Sequence, residues 1–209
     1  MKTLAILGSG HLGQQIAHYA LSDNHFDNVV FFDDFSSEKN VNNIPVLGNS
    51  NQIISEFEKG SFDEIILGIG YHHLNTKKEI YDRFKDYVPF ATLIHSSSWV
   101  DKTAIVEKGC VIYPNCAIDA HVVIKANTIL NISCTIAHDT VINEHCFLSP
   151  RIAVAGFVTI NQKCIIGINA TLIDSIELAE NTKIGGATVV IKSIEKSGLY
   201  VGNPAKFIR

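Results

Sequence analysis

The sequence predicts two domains, a Rossmann-like βαβ domain over residues 1–95 and a parallel β-helix with a C-terminal tail over residues 96–209. Two observations support this division. Strand and helix patterns alternate over about the first 94 residues, which is typical of a parallel sheet with helices on its faces. From Trp99 to Ile194 the chain divides, without insertion, into sixteen units of six residues. A strict period of six indicates a parallel β-helix.

The six-residue units, called hexads below, share two positions. The second residue of every unit is Val, Ile or Leu, and the sixth is always small or β-branched. This spacing fits neither the 3.6-residue period of a helix nor the alternation of an ordinary strand. Three units close one coil of about 18 residues, so the sequence predicts about five coils stacked around an aliphatic core. The period alone does not fix the hand of the helix.

The composition excludes several classes of protein. A formal net charge of −4 on 209 residues gives no basic surplus of the kind that binds nucleic acid. No apolar run approaches the roughly 18 residues that a membrane span requires. The N-terminal segment MKTLAILGSG is a short apolar run broken by glycine, which favours a first β-strand over a signal peptide. We therefore expect a cytoplasmic protein.

All five cysteines occupy sixth positions of hexads, where the repeat requires a small side chain. Their odd number and the absence of a CxxC motif argue against a disulfide or metal framework. We expect small buried apolar residues at Cys110, Cys116, Cys134, Cys146 and Cys164.

The first domain has four predicted strands and three predicted helices. The first helix follows the tight turn GSGHLG, and the second lies within IPVLGNSNQIISEFEKG after a loop. The third helix is predicted at roughly Asn75–Tyr87. The strands are predicted at Thr3–Leu7, Val29–Phe32, Glu64–Leu67 and Phe90–Ile94.

Glycines and acidic residues follow the first three strands. Ligands bind at the carboxyl ends of the strands in such sheets, where backbone N–H groups donate hydrogen bonds to phosphate and carboxylates accept hydrogen bonds from ribose or base. The residues predicted to bind substrate there are Gly8, Gly10, His11, Gly13, Asp33, Asp34, Gly70 and Tyr71.

The GxGxxG pattern with Asp33 about 20 residues further on also matches a dinucleotide fingerprint. Four strands without a second mononucleotide half favour a nucleotide or nucleotide-sugar site over NAD(P) redox chemistry. Glycines with a purely structural role remain the other alternative.

Catalytic residues of a β-helix must lie on its outer surface, because the prism has no interior pocket. His138 and Asp139, at the fourth and fifth positions of TIAHDT, are the best candidates for a general base and its partner carboxylate. Gly156 follows His138 by 18 residues, one full coil, so its N–H is placed to stabilise an oxyanion. The alternative role for Gly156 is a turn that needs positive φ.

A three-histidine zinc site of His121, His138 and His145 is the remaining alternative for this region. The spacings of 17 and 7 residues differ from those of β-helical carbonic anhydrases. We therefore predict no metal.

Several segments, taken in order, resemble one family nearly end to end: GSGHLG, FFDD, PVLG, LGIG, LIHSSSWV, IAHDTVINEHCFLSP, GGATVVIKSI and VGNPAKFIR. They resemble the NeuD/PglD-type bacterial sugar O-/N-acyltransferases. The resemblance implies a nucleotide-sugar-binding domain, a left-handed β-helix, a homotrimer, and acetyl-CoA as co-substrate without a metal.

The resemblance also implies roles for individual residues. His138 would be the general base with Asp139 as its partner, Asn131 would bind substrate, and the Gly156 amide would face the acetyl oxygen. Gly156, Gly186, Pro204 and Lys206 would bind CoA.

Two positions depart from the family. Phe147 stands where many relatives have a second histidine, and His11 lies one place early in the glycine motif. The expected function is acetyl-CoA-dependent N-acetylation of a UDP- or dTDP-linked 4-amino-deoxy sugar in polysaccharide biosynthesis. The alternatives are a sugar O-acetyltransferase of the sialic-acid type and a non-catalytic trimer that binds nucleotide sugars.

Overall fold

The structure, a computed structural model, describes residues 1–209. The chain forms two compact units, Met1–Leu93 and Ile94–Arg209. The change from one unit to the other thus lies two residues before the boundary drawn from the sequence. Each unit has its own apolar core.

The N-terminal unit contains a five-stranded sheet and three helices. The strands are β1 (Thr3–Leu7), β2 (Asn28–Phe32), β3 (Asn40–Val41), β4 (Ile44–Gly48) and β5 (Glu64–Leu67). The helices are α1 (His11–Ser22), α2 (Ile53–Glu58) and α3 (Leu74–Phe84), with 3₁₀ turns at Ser50–Gln52 and Tyr71–His73. The strand order is β3-β4-β2-β1-β5, and all neighbours are parallel except β3 and β4. The ends of β1, β2 and β5 therefore share one edge of the sheet.

Two predictions for this unit are wrong. The segment of β4 was predicted to be a loop, because Pro45 and Gly48 interrupt its apolar pattern. The predicted fourth strand Phe90–Ile94 is not one strand: Phe90 forms only a bridge with Ile65. Leu93–Ile94 (β6) instead joins the sheet of Val111–Ile112, since it lies one coil of 18 residues earlier. Helix α3 also ends three residues before its predicted end.

The C-terminal unit is a parallel β-helix in which each hexad contributes a two-residue strand at its first and second positions. Strands one coil apart pair in parallel, as Ala117–Ile118 does with Thr135–Ile136. These strands, β7 to β22, are Trp99–Val100, Ile105–Val106, Val111–Ile112, Ala117–Ile118, Val123–Ile124, Ile129–Leu130, Thr135–Ile136, Val141–Ile142, Phe147–Leu148, Ala153–Val154, Thr159–Ile160, Ile165–Ile166, Thr171–Leu172, Glu177–Leu178, Lys183–Ile184 and Val189–Val190.

The strands form the three faces of a prism. The faces hold six strands (β7 to β22), five (β8 to β20), and eight (β6 to β24). The face of eight includes β23 (Leu199–Val201) and β24 (Lys206–Phe207), which pair with each other in antiparallel fashion. The C-terminal tail thus extends one face of the prism.

The interior of the prism is filled by second- and sixth-position side chains. Every second-position residue from Ile112 to Val190 is buried. The five cysteines are buried, as expected for small apolar residues, and none forms a disulfide. Each thiol also donates to a third-position carbonyl 15 residues later, as Cys134 does to Ser149 at 3.2 Å. Thr128 and Thr140 make the same contact through their hydroxyls.

The corners of the prism depend on one backbone conformation. Every fifth position from Gly109 to Ala187 has positive φ, between 54° and 80°. Gly, Asn, Asp and His reach this left-handed region more readily than other residues, and they are frequent at these positions. No helix of the chain is both long and apolar enough to cross a bilayer.

Candidate active site

Two edges of the prism carry the candidate residues. The turns that follow the six-stranded face form the His138 edge, and the turns that follow the eight-stranded face form the Asn131 edge. Along the His138 edge the fourth positions are Lys102, Ala120, His138, Gly156, Asp174 and Lys192. Along the Asn131 edge they are Pro114, Ile132, Pro150, Ile168 and Gly186.

His138 and Asp139 are in direct contact. The Nδ1 atom of His138 lies 2.9 Å from Oδ2 of Asp139, and both side chains are partly exposed. An ionised carboxylate can only accept, so Nδ1 donates and the neutral ring keeps its lone pair on Nε2. Positive φ at Asp139 turns its side chain back towards its neighbour. The sequence placed these residues side by side, but only the structure shows this bond.

Gly156 lies against the imidazole of His138. A Cβ built on Gly156 would lie 2.7 Å from Cε1 of His138 and 2.9 Å from Nε2. Any side chain at this position would therefore displace the ring. The φ of Gly156 is not positive, so the alternative role as a positive-φ turn is wrong. Its N–H donates no hydrogen bond within the chain, whereas the next N–H, of Phe157, donates to the His138 carbonyl.

A basic cleft of about 610 Å³ lies at the C-terminal end of the His138 edge. Its lining includes Lys192, Lys196 and Lys206 together with Tyr200 and Phe207. Neither Lys192 nor Lys206 forms a salt bridge, and the Lys196 ammonium lies 4.6 Å from the centre of the Phe207 ring. Lys192 is three coils beyond His138, about 14 Å along the prism axis at the spacing of paired strands. The cleft can hold an anionic group.

Two of the predicted site residues are on the other edge. Asn131 and Gly186 lie on the Asn131 edge, and within one chain the structure does not bring them to His138. The Asn131 side chain accepts the Ile132 N–H at 2.9 Å. Gly186 is exposed, and a Cβ there would lie 3.2 Å from Ile168. Pro204 is exposed in the tail, two residues before Lys206.

The other two histidines of the zinc alternative, His121 and His145, do not form a metal-holding cluster with His138. His145 is buried and bonds through Nδ1 to Asn127 at 2.9 Å, while His121 is exposed on the His138 edge. No group of three His, Cys, Asp or Glu side chains has a geometry that could hold a metal ion. Phe147 is buried in strand β15, between Ile129 and Ile165 of the neighbouring coils.

In the N-terminal unit, the Asp33 carboxylate is fully occupied by the protein. Its Oδ2 accepts from the Ser9 N–H and hydroxyl, at 2.7 and 2.6 Å. Its Oδ1 accepts from the N–H groups of Phe35 and Ser36, both at 2.9 Å. Burial raises the pKa of Asp33, but these hydrogen bonds outweigh it and hold the pKa below its usual value. Asp33 therefore shapes the loop, and Asp34 similarly accepts the Ser50 N–H at 2.7 Å.

The glycines at the strand ends divide into two groups. A Cβ on Gly13 would lie 1.9 Å from the Gly8 carbonyl oxygen, and one on Gly68 would lie 2.8 Å from the same atom. These glycines allow β1, β5 and α1 to pack closely. A Cβ on Gly10 or Gly70 would meet nothing within 4 Å, so these two glycines present open backbone.

A cleft of about 470 Å³ lies beside the open backbone of Gly10. It is lined by Gly10, the N-cap of α1, and by Asp33, Phe35 and Glu38 among others. Phe35 is fully exposed. His11 and Tyr71 are also exposed, at the starts of α1 and of the 3₁₀ turn after β5. A phosphate-accepting helix end next to an exposed aromatic ring suits a nucleotide.

Comparison with known proteins agrees with this geometry. The sequence model of the PglD N-terminal domain matches residues 3–84. This match supports the resemblance to NeuD/PglD-type proteins seen in the sequence.

Three solved structures share the fold of the whole chain. The acetyltransferase domain of PglB from Neisseria gonorrhoeae has 24% identity, 100% coverage of both chains and a TM-score of 0.91. PerB from Caulobacter crescentus, in complex with CoA and GDP-perosamine, has 24% identity, covers 100% of this chain and 98% of its own, and has a TM-score of 0.88. WeeI from Acinetobacter baumannii has 20% identity, 100% coverage of both chains and a TM-score of 0.84. The predicted fold, a Rossmann-like domain followed by a left-handed β-helix, is confirmed.

Proposed function

We propose that the protein is an acetyl-CoA-dependent N-acetyltransferase that acts on a nucleotide-linked amino sugar. The observation that carries this proposal is the arrangement of His138 on the prism surface. Its Nδ1 is held by Asp139, and its Nε2 lies beside a glycine whose N–H has no partner within the chain. A base beside an unused N–H donor is what acyl transfer to an amine requires. PerB, whose fold is shared, was solved with CoA and an amino-sugar nucleotide.

The reaction uses these groups in order. His138 Nε2 removes a proton from the sugar amine as the nitrogen attacks the thioester carbonyl. The Gly156 N–H stabilises the tetrahedral oxyanion, and the Asp139 carboxylate stabilises the imidazolium. The C–S bond then breaks, the proton passes to the CoA sulfur, and N-acetyl sugar and free CoA leave.

The basic cleft suits the nucleotide part of CoA. Lys192 and Lys206 are unpaired cations that can bind its phosphates. The pantetheine arm of CoA would then span the three coils between Lys192 and His138, about 14 Å. The tail with Pro204 adjoins the same cleft through Lys206. In the N-terminal unit, we assign the cleft lined by Gly10 to the nucleotide of the acceptor sugar. His11, Gly70 and Tyr71, which follow β1 and β5, are further candidates for contacts with this substrate.

A homotrimer would complete the site. The Asn131 edge is an apolar ridge of Pro114, Ile132, Pro150 and Ile168, and Ile168 is 50% exposed. The His138 edge lacks such a ridge but carries the catalytic pair. Packing of one copy's Asn131 edge against the next copy's His138 edge would cover the ridge and bring Asn131 to the level of His138, with Gly186 three coils further along, towards Lys192. Three such heterologous contacts close a ring.

The test is release of free CoA from acetyl-CoA, followed with a thiol-reactive dye. The acceptors are UDP-, dTDP- and GDP-linked 4-amino sugars and free sialic acids. We expect release with one amino sugar, and His138→Ala should lower kcat by about 10²–10⁴-fold. Release with sialic acid alone would replace this proposal by an O-acetyltransferase. Binding of a nucleotide sugar without CoA release from any acceptor would indicate a non-catalytic binding protein instead of an enzyme. Phe147, in place of the second histidine of many relatives, would then explain the lack of activity.

A further inference from the structure

On the His138 edge, one residue departs from the pattern of small or polar side chains at fifth positions. Phe157 occupies a fifth position with φ of 57° and is 59% exposed. The fifth positions from Gly109 to Ala187 otherwise hold Gly, Ala, Ser, Asn, Asp, His, Lys or Arg. A bulky apolar side chain is unfavourable in the left-handed region. The same position one coil earlier is Asp139, so polar residues fit here.

The Phe157 side chain touches the candidate base. Its ring centre lies 5.1 Å from that of His138, and the two planes meet at 87°. This is the edge-to-face arrangement that aromatic pairs prefer. The imidazole therefore has three neighbours: the Asp139 carboxylate at Nδ1, the Gly156 backbone below the ring, and the Phe157 ring at a right angle to it.

We propose that Phe157 is a positioning residue that fixes the ring plane of His138. The Asp139 bond alone leaves the exposed imidazole free to tilt or flip about its side-chain torsions, since it constrains a single ring atom. The Phe157 ring removes that freedom, and so it keeps Nδ1 on the carboxylate and Nε2 over Gly156. Strain at an exposed position next to a reactive group is the expected sign of such a role.

The first experiment does not depend on any substrate. The protein is labelled with ¹⁵N-histidine, and the His138 signals are assigned by their loss in His138→Ala. In the wild type we expect the tautomer with the proton on Nδ1. Phe157→Ala should shift the ring towards a mixture of tautomers, while Phe157→Tyr should retain the wild-type state. Ile105→Ala, which truncates another exposed apolar side chain (55% exposed) of the same unit, is the matched control.

The second experiment measures turnover, and this part rests on the proposed function. Phe157→Ala should lower kcat about ten- to a hundred-fold with little change in KM for either substrate, because orientation of the base is lost. Phe157→Tyr should restore most of the rate.

The two experiments separate the two proposals. An unchanged His138 tautomer in Phe157→Ala, or a change of equal size in Ile105→Ala, would overturn the positioning role. A tautomer shift without any CoA release from the wild type would support the positioning role and defeat the proposed reaction.

Discussion

At the scale of single residues, the candidate site depends on glycines, whose lack of a side chain leaves space and open backbone. Gly156 leaves the space that the His138 ring occupies, and its missing side chain leaves an N–H group open to solvent. Gly10, which lines the cleft of the N-terminal unit, and Gly70 leave backbone open in the same way. Substitutions that add atoms at these positions are therefore more informative than truncations.

Gly156→Ala should displace the His138 ring, because its Cβ would lie 2.7 Å from Cε1. We expect kcat to fall about a hundred-fold, as for misplacement of a catalytic group by an ångström. Thermal stability should change little, because the exposed imidazole can move into solvent. The measurement is kcat together with Tm, and a normal rate would mean that His138 is not the base.

Asp33 gives the N-terminal unit a defined dependence on pH. Its pKa is lowered in the folded state by four donors. Its contribution is thus present above the unfolded pKa of about 3.9 and is lost as pH falls through the folded pKa. Asp33→Ala should lower the free energy of unfolding near pH 7 by about 1–3 kcal/mol, because it leaves the buried Ser9 N–H without an acceptor. In thermal unfolding, the difference from wild type should shrink below pH 4; a difference constant from pH 7 to pH 2.5 would contradict this.

At the scale of elements, the hexad sets which side chains enter the core. Strand Ile165–Ile166 provides a matched pair, with Ile166 fully buried and Ile165 partly exposed. Ile166→Ala should cost about 2–5 kcal/mol through the cavity it leaves. Ile165→Ala should cost less than half as much. Chemical denaturation of both variants measures the difference, and equal losses would contradict the register.

Much of the fold could be predicted from the sequence because its signal is repeated. The aliphatic second position specified every coil strand between Trp99 and Val190. Single elements without a repeat were less certain. Ile44–Gly48 has proline and glycine within it, and the short run Leu93–Ile94 does not itself indicate which sheet it joins.

The candidate site was predicted in its residues but not in its contacts. The 18-residue spacing was enough to place Gly156 beside His138. The Asp139 bond depends on a turn conformation, and occupation of the Asp33 carboxylate depends on Ser9 from another strand end. Phe157 was missed, although a large apolar residue among polar fifth positions was a visible signal.

At the scale of the whole molecule, the separation of His138 and Asn131 on two edges gives a test of the proposed trimer. His138→Ala and Asn131→Ala should each be nearly inactive. If each site takes these residues from two copies, mixed trimers refolded from equal amounts should regain roughly a quarter of the sites, as expected for random heterologous pairs. CoA release by the mixture measures this. An inactive mixture of well-formed trimers would place both residues in the site of one chain.

The stacking of coils also fixes distances along the axis of the β-helix. Each coil adds 18 residues and advances the chain by about 4.8 Å. If acetyl-CoA binds as proposed, the number of coils between His138 and Lys192 sets the distance between the reacting carbon and the phosphates of CoA. Inserting a copy of residues 157–174 should preserve the fold, since each coil contacts only its neighbours. The insertion should lengthen that distance by one coil, about 4.8 Å, and should therefore weaken the use of acetyl-CoA. An acyl donor with a longer arm would then be the better substrate. An unaltered KM for acetyl-CoA would show that the basic cleft does not bind the phosphates of CoA.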